Sequence, residues 1–205
     1  MIGKSNSTVE RLRKNISQLV ALALSLVALL TVPVDFEDSL HEALEMMGYL
    51  LLIVAGLGRI WCSIYIAGRK NKVLCVDGPY SLCRNPLYLF SFVGVLGAFL
   101  ALQSVMLTLI AAALYLAYYH FVIRSEERRL AALFGDSFSE YLATTPRFLP
   151  SFASYQSGAA ERMVSTRVME RGLKEVLWFF VAIVLIDGIE LVHSHGFLIL
   201  GRLPF

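Results

Sequence analysis

The sequence predicts an all-α fold, a polytopic membrane bundle of five transmembrane helices. Of its 205 residues, 57% are hydrophobic and only 17% are charged, and the mean hydropathy is +0.66. A soluble domain usually has about 25% charged residues, and several apolar runs here are long enough to cross about 30 Å of hydrocarbon. The net charge of +2 is too small to indicate a nucleic-acid partner, and the basic residues cluster at the ends of the apolar runs.

Five apolar segments account for the bundle. They cover residues 16–34, 43–67, 87–102, 105–123 and 173–193. The first follows a basic head, as a signal peptide would, but Pro33 and an acidic segment come after it in place of a small-residue cleavage site. We therefore expect it to be retained as a span. Gln103 and Ser104 form a very short connection, so the third and fourth spans are expected to be antiparallel neighbours.

The distribution of Lys and Arg gives the orientation. Nearly all of them lie in the amino terminus, in residues 68–86 and in residues 124–172. By the positive-inside rule these segments are cytoplasmic, so the amino terminus is inside and the carboxyl terminus outside. We expect a protein of a bacterial inner membrane.

We treat residues 1–205 as one membrane domain with three parts. Residues 1–42 contain the first span, residues 43–150 form a core, and residues 151–205 form a linker and the last span.

Two compact polar clusters flank the hairpin of the third and fourth spans. One contains Gly78-Pro79-Tyr80 and Arg84-Asn85-Pro86, and the other contains Glu126-Glu127. A hairpin returns to the side of the membrane that it left, so both clusters should meet at one surface. Ionisable groups at the edge of hydrocarbon are costly and are usually functional, so this face is the candidate active site.

Each cluster also has a purely structural interpretation. Pro86 suits the first turn of a helix, and Asn85 is a favoured N-cap. Glu126 and Glu127 could simply end a membrane helix, with Arg128 and Arg129 neutralising the pair. Since adjacent side chains on a helix point about 100° apart, at most one of the two easily faces a given pocket.

The stretch EERRLAALFGDSFSEYL is expected to form an amphipathic helix after the fourth span, and Gly135 and Asp136 could interrupt it. Its apolar positions near helical spacing are Leu130, Leu133, Phe134, Phe138, Tyr141 and Leu142.

Two further features carry a structural and a functional interpretation. Gly56 and Gly58 could permit close helix packing or ligand contact, while the neighbouring Arg59 could snorkel or bind a carboxylate. Arg147 lies in the rigid turn Pro146–Pro150, where it could anchor lipid phosphate or recognise an anionic substrate group.

The cysteines and histidines do not indicate a metal site. Cys62, Cys75 and Cys83 form no CxxC pair, so neither a disulfide framework nor a zinc site is expected. The four histidines lack a shared helix face with ligand spacing, and no Walker loop or HExxH motif is present. We therefore expect no metal.

Taken together, the motifs resemble a known family. The patterns GPYSLCRNPLY, EERRLAALFGDSFSEY and PRFLP, joined by a two-span hairpin, are similar to the integral-membrane methyltransferases over about residues 50–150. That superfamily includes isoprenylcysteine carboxyl methyltransferases and phospholipid N-methyltransferases. The resemblance implies S-adenosylmethionine as cofactor, bound at the cytoplasmic ends of the helices, and a lipid or lipidated substrate.

The resemblance also assigns roles to residues. It implies cofactor binding by Gly56, Gly58, Arg59, Gly78, Tyr80, Arg84, Asn85, Tyr88, Glu126 and Glu127. Asn85 replaces the family's usual His, and its amide can donate a hydrogen bond but cannot carry charge. Arg147 resembles a loop arginine near the reacting group, and Glu127 is the second candidate catalytic residue.

Several acceptors and rival functions stay open. A prenylcysteine-like carboxylate is expected first, since it is already ionised at pH 7 and needs no general base. A phospholipid amine comes second, because it must first lose a proton, for which Glu126 or Glu127 is a candidate base. Rival functions are an NADPH-dependent sterol-type reductase and a non-catalytic membrane scaffold, the latter favoured only by Asn85.

Overall fold

A computed structural model describes residues 26–27, 30–33, 38–69, 72–158, 166–194 and 201–203. Six α-helices occur in these segments. They are α1 (Asp38–Ile66), α2 (Pro79–Leu82), α3 (Pro86–Ala101), α4 (Val105–Phe134), α5 (Asp136–Thr144) and α6 (Thr166–Ser194). A 3-10 turn covers Phe152–Ser154. The predicted helical class is confirmed.

Two described helices, Ser39–Ile66 and Val105–Phe134, are long and apolar enough to cross a membrane. The third predicted span forms the shorter apolar helix α3, and the last lies within α6. Most of the first predicted span, residues 16–34, lies outside the described residues. The number of five spans therefore stays a prediction.

The end of the predicted first span is a short strand, although the sequence predicted only helices. Thr31–Pro33 (β1) is extended and pairs in parallel with Gly201–Leu203 (β2). A three-residue strand has too little alternation to be recognised in an apolar run. The pairing joins the end of the predicted first span to the carboxyl-terminal tail, two segments that the charge distribution placed on the same side.

The hairpin of α3 and α4 has local causes. Pro86 occupies the first turn of α3, where its missing N–H costs no helical hydrogen bond. Gln103 adopts a positive φ of 57° in the connection, and the Ser104 hydroxyl then accepts a hydrogen bond from the Leu107 amide as the N-cap of α4. The antiparallel arrangement is thereby set by only three residues between the helices.

The core lies between α1, α3 and α6. At one end Leu52, Ala101 and Ile186 form a buried cluster. At the other end Cys62, Cys75 and Tyr80 pack together, which fixes the loop after α1 against the start of α2. This second cluster supports one wall of the candidate site.

The helix that carries the two glutamates is continuous with the fourth span. That span was expected to end near residue 123 and to be followed by an amphipathic helix, and α4 joins the two without a break as far as Phe134. Gly135, with φ 52°, then separates it from α5, as the Gly135-Asp136 pair indicated. Glu126 and Glu127 are thus held on the extension of a membrane helix.

Candidate functional site

A cavity of about 340 Å³ lies where α3 begins and where α4 leaves its apolar part. Residues from α1, from the loop after it, and from α2 through α5 form its walls. They are Arg59, Ile66, Val73, Leu74, Cys75, Tyr80, Arg84, Asn85, Pro86, Leu87, Tyr88, Ser91, Tyr119, Glu126, Arg129, Leu130, Phe134 and Tyr141. We call it the hairpin cavity. Its size falls within the roughly 300–1,000 Å³ of small-molecule sites.

The hairpin brings Asn85 and Glu126 to this one cavity, as the sequence predicted. Between them, the Tyr88 hydroxyl donates a hydrogen bond of 2.6 Å to Glu126 Oε2. Arg129, three residues along α4, lies 3.3 Å from Glu126 Oε1. Glu126 is therefore fixed in place while its carboxylate remains part of the cavity wall.

Asn85 contributes differently from what helix capping implies. Its side chain makes no capping hydrogen bond to α3. Instead, Asn85 Nδ2 donates to the carbonyl oxygen of Arg147 at 3.0 Å, and the side chain is buried. The capping interpretation of this side chain was wrong, because a distant loop satisfies the amide.

Tyr80 supplies a buried phenol. The residue lines the cavity, and among the described residues its hydroxyl has no hydrogen-bond partner. Burial raises the pKa of the Tyr80 hydroxyl well above its usual range, so the group stays protonated and can donate to a bound molecule. Buried polar groups are nearly always hydrogen-bonded, which makes this donor a feature that a ligand would complete.

Arg59 reaches the cavity from α1. Its Nη1 hydrogen-bonds to the Ser91 hydroxyl of α3, and its guanidinium lies 6.0 Å from the centre of the Phe179 ring. With Arg84 and Arg129 it gives the wall three cations against the one carboxylate of Glu126. The lining therefore favours a ligand with at least one anionic group.

Glu127 points away from the hairpin cavity. Its carboxylate accepts two hydrogen bonds from Arg147, one of them 3.2 Å long from Nε, and Arg84 Nε lies 3.3 Å away. Hydrogen bonding to Glu127 raises the pKa of Arg147. We call Arg84, Glu127 and Arg147 the arginine–glutamate cluster.

This cluster ties the loop of Arg147 to the start of α3. The Arg84 amide donates to the Pro146 carbonyl at 2.9 Å, next to the bond from Asn85 to Arg147. Arg84 also donates through Nη1 to the Leu142 carbonyl at 2.8 Å. The two predicted catalytic residues, Arg147 and Glu127, thus contact each other directly, and both lie along a separate groove on the opposite face of α4.

Three glycines with a predicted cofactor role do not line the cavity. A Cβ at Gly58 would lie 2.1 Å from the Phe90 ring, and one at Gly56 would lie 3.4 Å from Val176. Gly78 has φ 58°, faces Tyr65, and donates its amide to the Gln156 carbonyl at 2.7 Å. The contacts of Gly56 and Gly58 match the packing interpretation of the sequence, and the positive φ of Gly78 is one that glycine adopts readily in a turn. A cofactor role for the three stays a prediction.

Sequence reasoning missed several wall residues. Tyr119 lies seven residues before Glu126, so the helical period alone puts both on one face. Arg129 and Tyr141 were noted only as a neutralising charge and as an apolar position of an amphipathic helix. Tyr141 in fact donates from its hydroxyl to the Tyr80 carbonyl at 2.6 Å, and only the tertiary fold shows this contact.

The sequence is similar to one methyltransferase family and to one named methyltransferase. Residues 46–137 match the family described as phospholipid methyltransferase. Over 87 residues, 42% of this chain and 37% of the relative, the sequence is 31% identical to the protein-S-isoprenylcysteine O-methyltransferase of Schizosaccharomyces pombe. No solved structure matches.

Two bacterial relatives cover more of the chain. The cobalt-zinc-cadmium resistance protein CzcN of Cupriavidus metallidurans is 38% identical over 152 residues, 74% of this chain and 69% of that protein. The nickel-cobalt-cadmium resistance protein NccN of Alcaligenes xylosoxydans xylosoxydans is 35% identical over 175 residues, 85% of this chain and 81% of that protein.

Proposed function

The chain belongs to the integral-membrane methyltransferase family, and we propose from this that it transfers a methyl group from S-adenosylmethionine to an amphiphilic molecule of the membrane. The observation that carries the proposal is the meeting of Asn85 and Glu126 in the hairpin cavity. The two polar clusters that carry the family motifs lie more than 35 residues apart in sequence, and a shared cavity is what a common ligand requires.

The donor set of the cavity fits the cofactor. S-Adenosylmethionine, when bound, supplies an activated methyl group on a sulfonium centre, together with an ammonium, a carboxylate and ribose hydroxyls. Glu126 would hold the ammonium or a ribose hydroxyl, and Arg84, Arg59 or Asn85 would hold the carboxylate. The buried Tyr80 hydroxyl, which lacks a partner among the described residues, would donate to one of these oxygens.

Alignment and exclusion of water are the main tasks left to the protein. Methyl transfer is an in-line displacement, so a fixed geometry in a dry pocket is what accelerates it. The bond from Tyr88 to Glu126 and the buried amide of Asn85 provide fixed positions. Gly56, Gly58 and Gly78 would act indirectly, by holding the helices and the turn that shape the wall.

The acceptor is proposed to be a carboxylate of prenylcysteine type. Arg147 would neutralise it at the edge of the hairpin cavity, where the Arg147 carbonyl accepts a hydrogen bond from Asn85, and Glu127 would orient Arg147 through the hydrogen bonds described above. No general base is needed, since a carboxylate is ionised at pH 7. The excess of arginine over glutamate in the cavity wall supports an anionic acceptor.

A phospholipid amine is the second candidate acceptor. It is favoured by the family description that matches residues 46–137. An amine must lose a proton before attack, and Glu126 is the carboxylate in the cavity that could take it. Either acceptor would keep its tail in hydrocarbon, which accounts for the placement of the enzyme in the membrane.

The names of CzcN and NccN refer to resistance against metal ions and specify no reaction. If this chain contributes to metal-ion resistance, we propose that the effect comes from the methylated product. Esterification of a carboxylate removes a negative charge from the membrane surface, and a less negative surface attracts fewer divalent cations.

Methyl transfer to defined acceptors tests the proposal. Detergent-purified protein would be incubated with S-adenosylmethionine labelled in the methyl group and with a prenylated cysteine, the same cysteine without its tail, or phosphatidylethanolamine. We expect label in the prenylated cysteine and little in its short analogue, with Glu126→Ala as the inactive control. Labelling of the short analogue alone, or of no acceptor, would contradict the proposal.

A further inference from the structure

A groove of about 680 Å³ runs along the face of α4 opposite the hairpin cavity. Residues of α4, α5 and the Arg147 loop line it. They are Phe121, Arg124, Ser125, Glu127, Arg128, Ala131, Phe138, Leu142 and Arg147. Within α4, Phe121, Arg124 and Arg128 follow the i, i+3, i+7 spacing of one helix face. We call it the arginine groove.

The groove has unused positive charge. Three arginines face one glutamate in its lining, and Glu127 is already engaged by Arg84 and Arg147. No carboxylate of the described residues forms an ion pair with Arg124 or Arg128, and both are exposed. Within the described part of the chain, these two guanidinium groups make one hydrogen bond, from Arg128 Nε to the Arg124 carbonyl at 3.4 Å, so the two charges remain available to an external anion.

An apolar stripe leads directly into this charge. Ile110, Leu114 and Phe121 lie on the same face of α4 as the groove, and their side chains are 41%, 45% and 69% exposed. Arg124 is the first cation after the apolar part of this helix, and Arg128 follows one turn later. Such a change from exposed apolar to basic residues occurs at the headgroup level of a membrane.

We propose that the arginine groove binds the headgroup of an anionic phospholipid of the cytoplasmic leaflet. The phosphate would lie between Arg124 and Arg128, since guanidinium groups bind phosphate through paired hydrogen bonds. The acyl chains would lie along Ile110, Leu114 and Phe121. A soluble phosphate would use only the cations, so the apolar stripe identifies the membrane lipid as the ligand.

The groove is separate from the hairpin cavity, with the arginine–glutamate cluster between them. Glu127 and Arg147 line the groove, whereas Arg84 lines the cavity. Arg124 and Arg128 belong to neither the proposed cofactor site nor the proposed catalytic pair. The lipid site can therefore be tested without reference to methyl transfer.

Lipid retention by the purified full chain tests the site. Native mass spectrometry would measure binding of phosphatidylglycerol and phosphatidylcholine in detergent, with glycerol 3-phosphate as a soluble competitor. We expect phosphatidylglycerol to bind at least tenfold more tightly. Because a cation near the surface contributes about 1 kcal/mol, Arg124→Gln/Arg128→Gln should weaken its binding roughly 30-fold.

Charge-matched variants make the result specific. Lys72→Gln/Lys174→Gln removes two exposed cations outside the groove and should change phosphatidylglycerol binding by less than about threefold. Arg124→Lys/Arg128→Lys keeps the charge and should retain most of the binding. If the double glutamine variant does not fold, each single variant should still show roughly a fivefold loss.

Three results would overturn the proposal. Equal binding of phosphatidylglycerol and phosphatidylcholine would show that the headgroup charge is not recognised. An equal loss of phosphatidylglycerol binding in Lys72→Gln/Lys174→Gln and in Arg124→Gln/Arg128→Gln would show that any surface cation suffices. Displacement by an equal concentration of glycerol 3-phosphate would assign the groove to a soluble anion.

Discussion

Glu126 and Glu127 are adjacent in sequence but lie in different environments. Glu126 lines the hairpin cavity and accepts a hydrogen bond from Tyr88. Glu127 has a side chain only 12% exposed and is engaged by two arginines. The angle of about 100° between neighbouring helical side chains is the reason, and it separates a ligand-facing carboxylate from one that holds the fold.

The two carboxylates should respond differently to substitution. Glu127→Gln removes the charge that Arg84 and Arg147 share, and hydrogen bonds to charged groups contribute about 1.5–3 kcal/mol. In a chain of this size we expect the Tm to fall by roughly 5 °C, measured by thermal unfolding in detergent. Glu126→Gln should leave the Tm nearly unchanged, since a glutamine oxygen can still accept from Tyr88.

The matched control for this pair is Glu140→Gln, which changes an exposed carboxylate on α5. An equal Tm for Glu127→Gln and Glu140→Gln would show that the arginine–glutamate cluster does not stabilise the loop of Arg147.

The sequence was sufficient to predict that Asn85 and Glu126 meet, but not how either side chain is bonded. The joint placement of Asn85 and Glu126 followed from the return of a short hairpin. The bond from Asn85 to the Arg147 carbonyl was not predictable, because it depends on where a loop 62 residues away folds back. Asn85 occupies the N-cap position that local rules assigned to it, but its side chain makes no capping hydrogen bond.

The interface of α1 and α3 depends on close backbone approach. A Cβ at Gly97 would lie 2.8 Å from the Gly48 carbonyl oxygen, and one at Gly58 would lie 2.1 Å from the Phe90 ring. Small residues of this kind allow membrane helices to pack without a gap. The packing interpretation of Gly58 is thus supported by a specific contact.

Gly58→Ala should therefore destabilise the protein. Overpacking usually costs about 1–3 kcal/mol, which corresponds to a Tm decrease of a few degrees. Gly56→Ala is the matched control, because its Cβ would be at an ordinary 3.4 Å from Val176. Equal Tm values would contradict the packing assignment. If Gly56 also contacts the cofactor, Gly56→Ala should weaken S-adenosylhomocysteine binding at an unchanged Tm.

The helical elements themselves were largely predictable. Hydropathy located α1, α3, α4 and α6, and the Gly135-Asp136 pair located the break before α5. The predicted fourth span and the start of the predicted amphipathic helix form one continuous helix to Phe134, since charged residues that are good helix formers can continue a helix into water. The pairing of β1 with β2 was missed because the two strands lie at distant positions in the chain.

Across the whole molecule, the structure separates two surfaces of one membrane helix. The face of α4 with Tyr119 and Glu126 closes the hairpin cavity, and the face with Phe121, Arg124 and Arg128 forms the arginine groove. The first is proposed to bind the cofactor and the second a lipid headgroup. Because the two sites share no lining residue, a lipid headgroup in the arginine groove would leave the hairpin cavity free for the cofactor and the acceptor.

The most direct test of the account is calorimetric titration of the detergent-purified protein with S-adenosylhomocysteine and, separately, with NADPH. Binding of S-adenosylhomocysteine alone is expected, at one molecule per chain, and Glu126→Ala should weaken it by more than about tenfold, the loss of one charged hydrogen bond. Binding of NADPH alone would indicate a reductase instead. Failure of S-adenosylhomocysteine to bind, or an affinity unchanged by Glu126→Ala, would contradict the assignment of the hairpin cavity as the cofactor site.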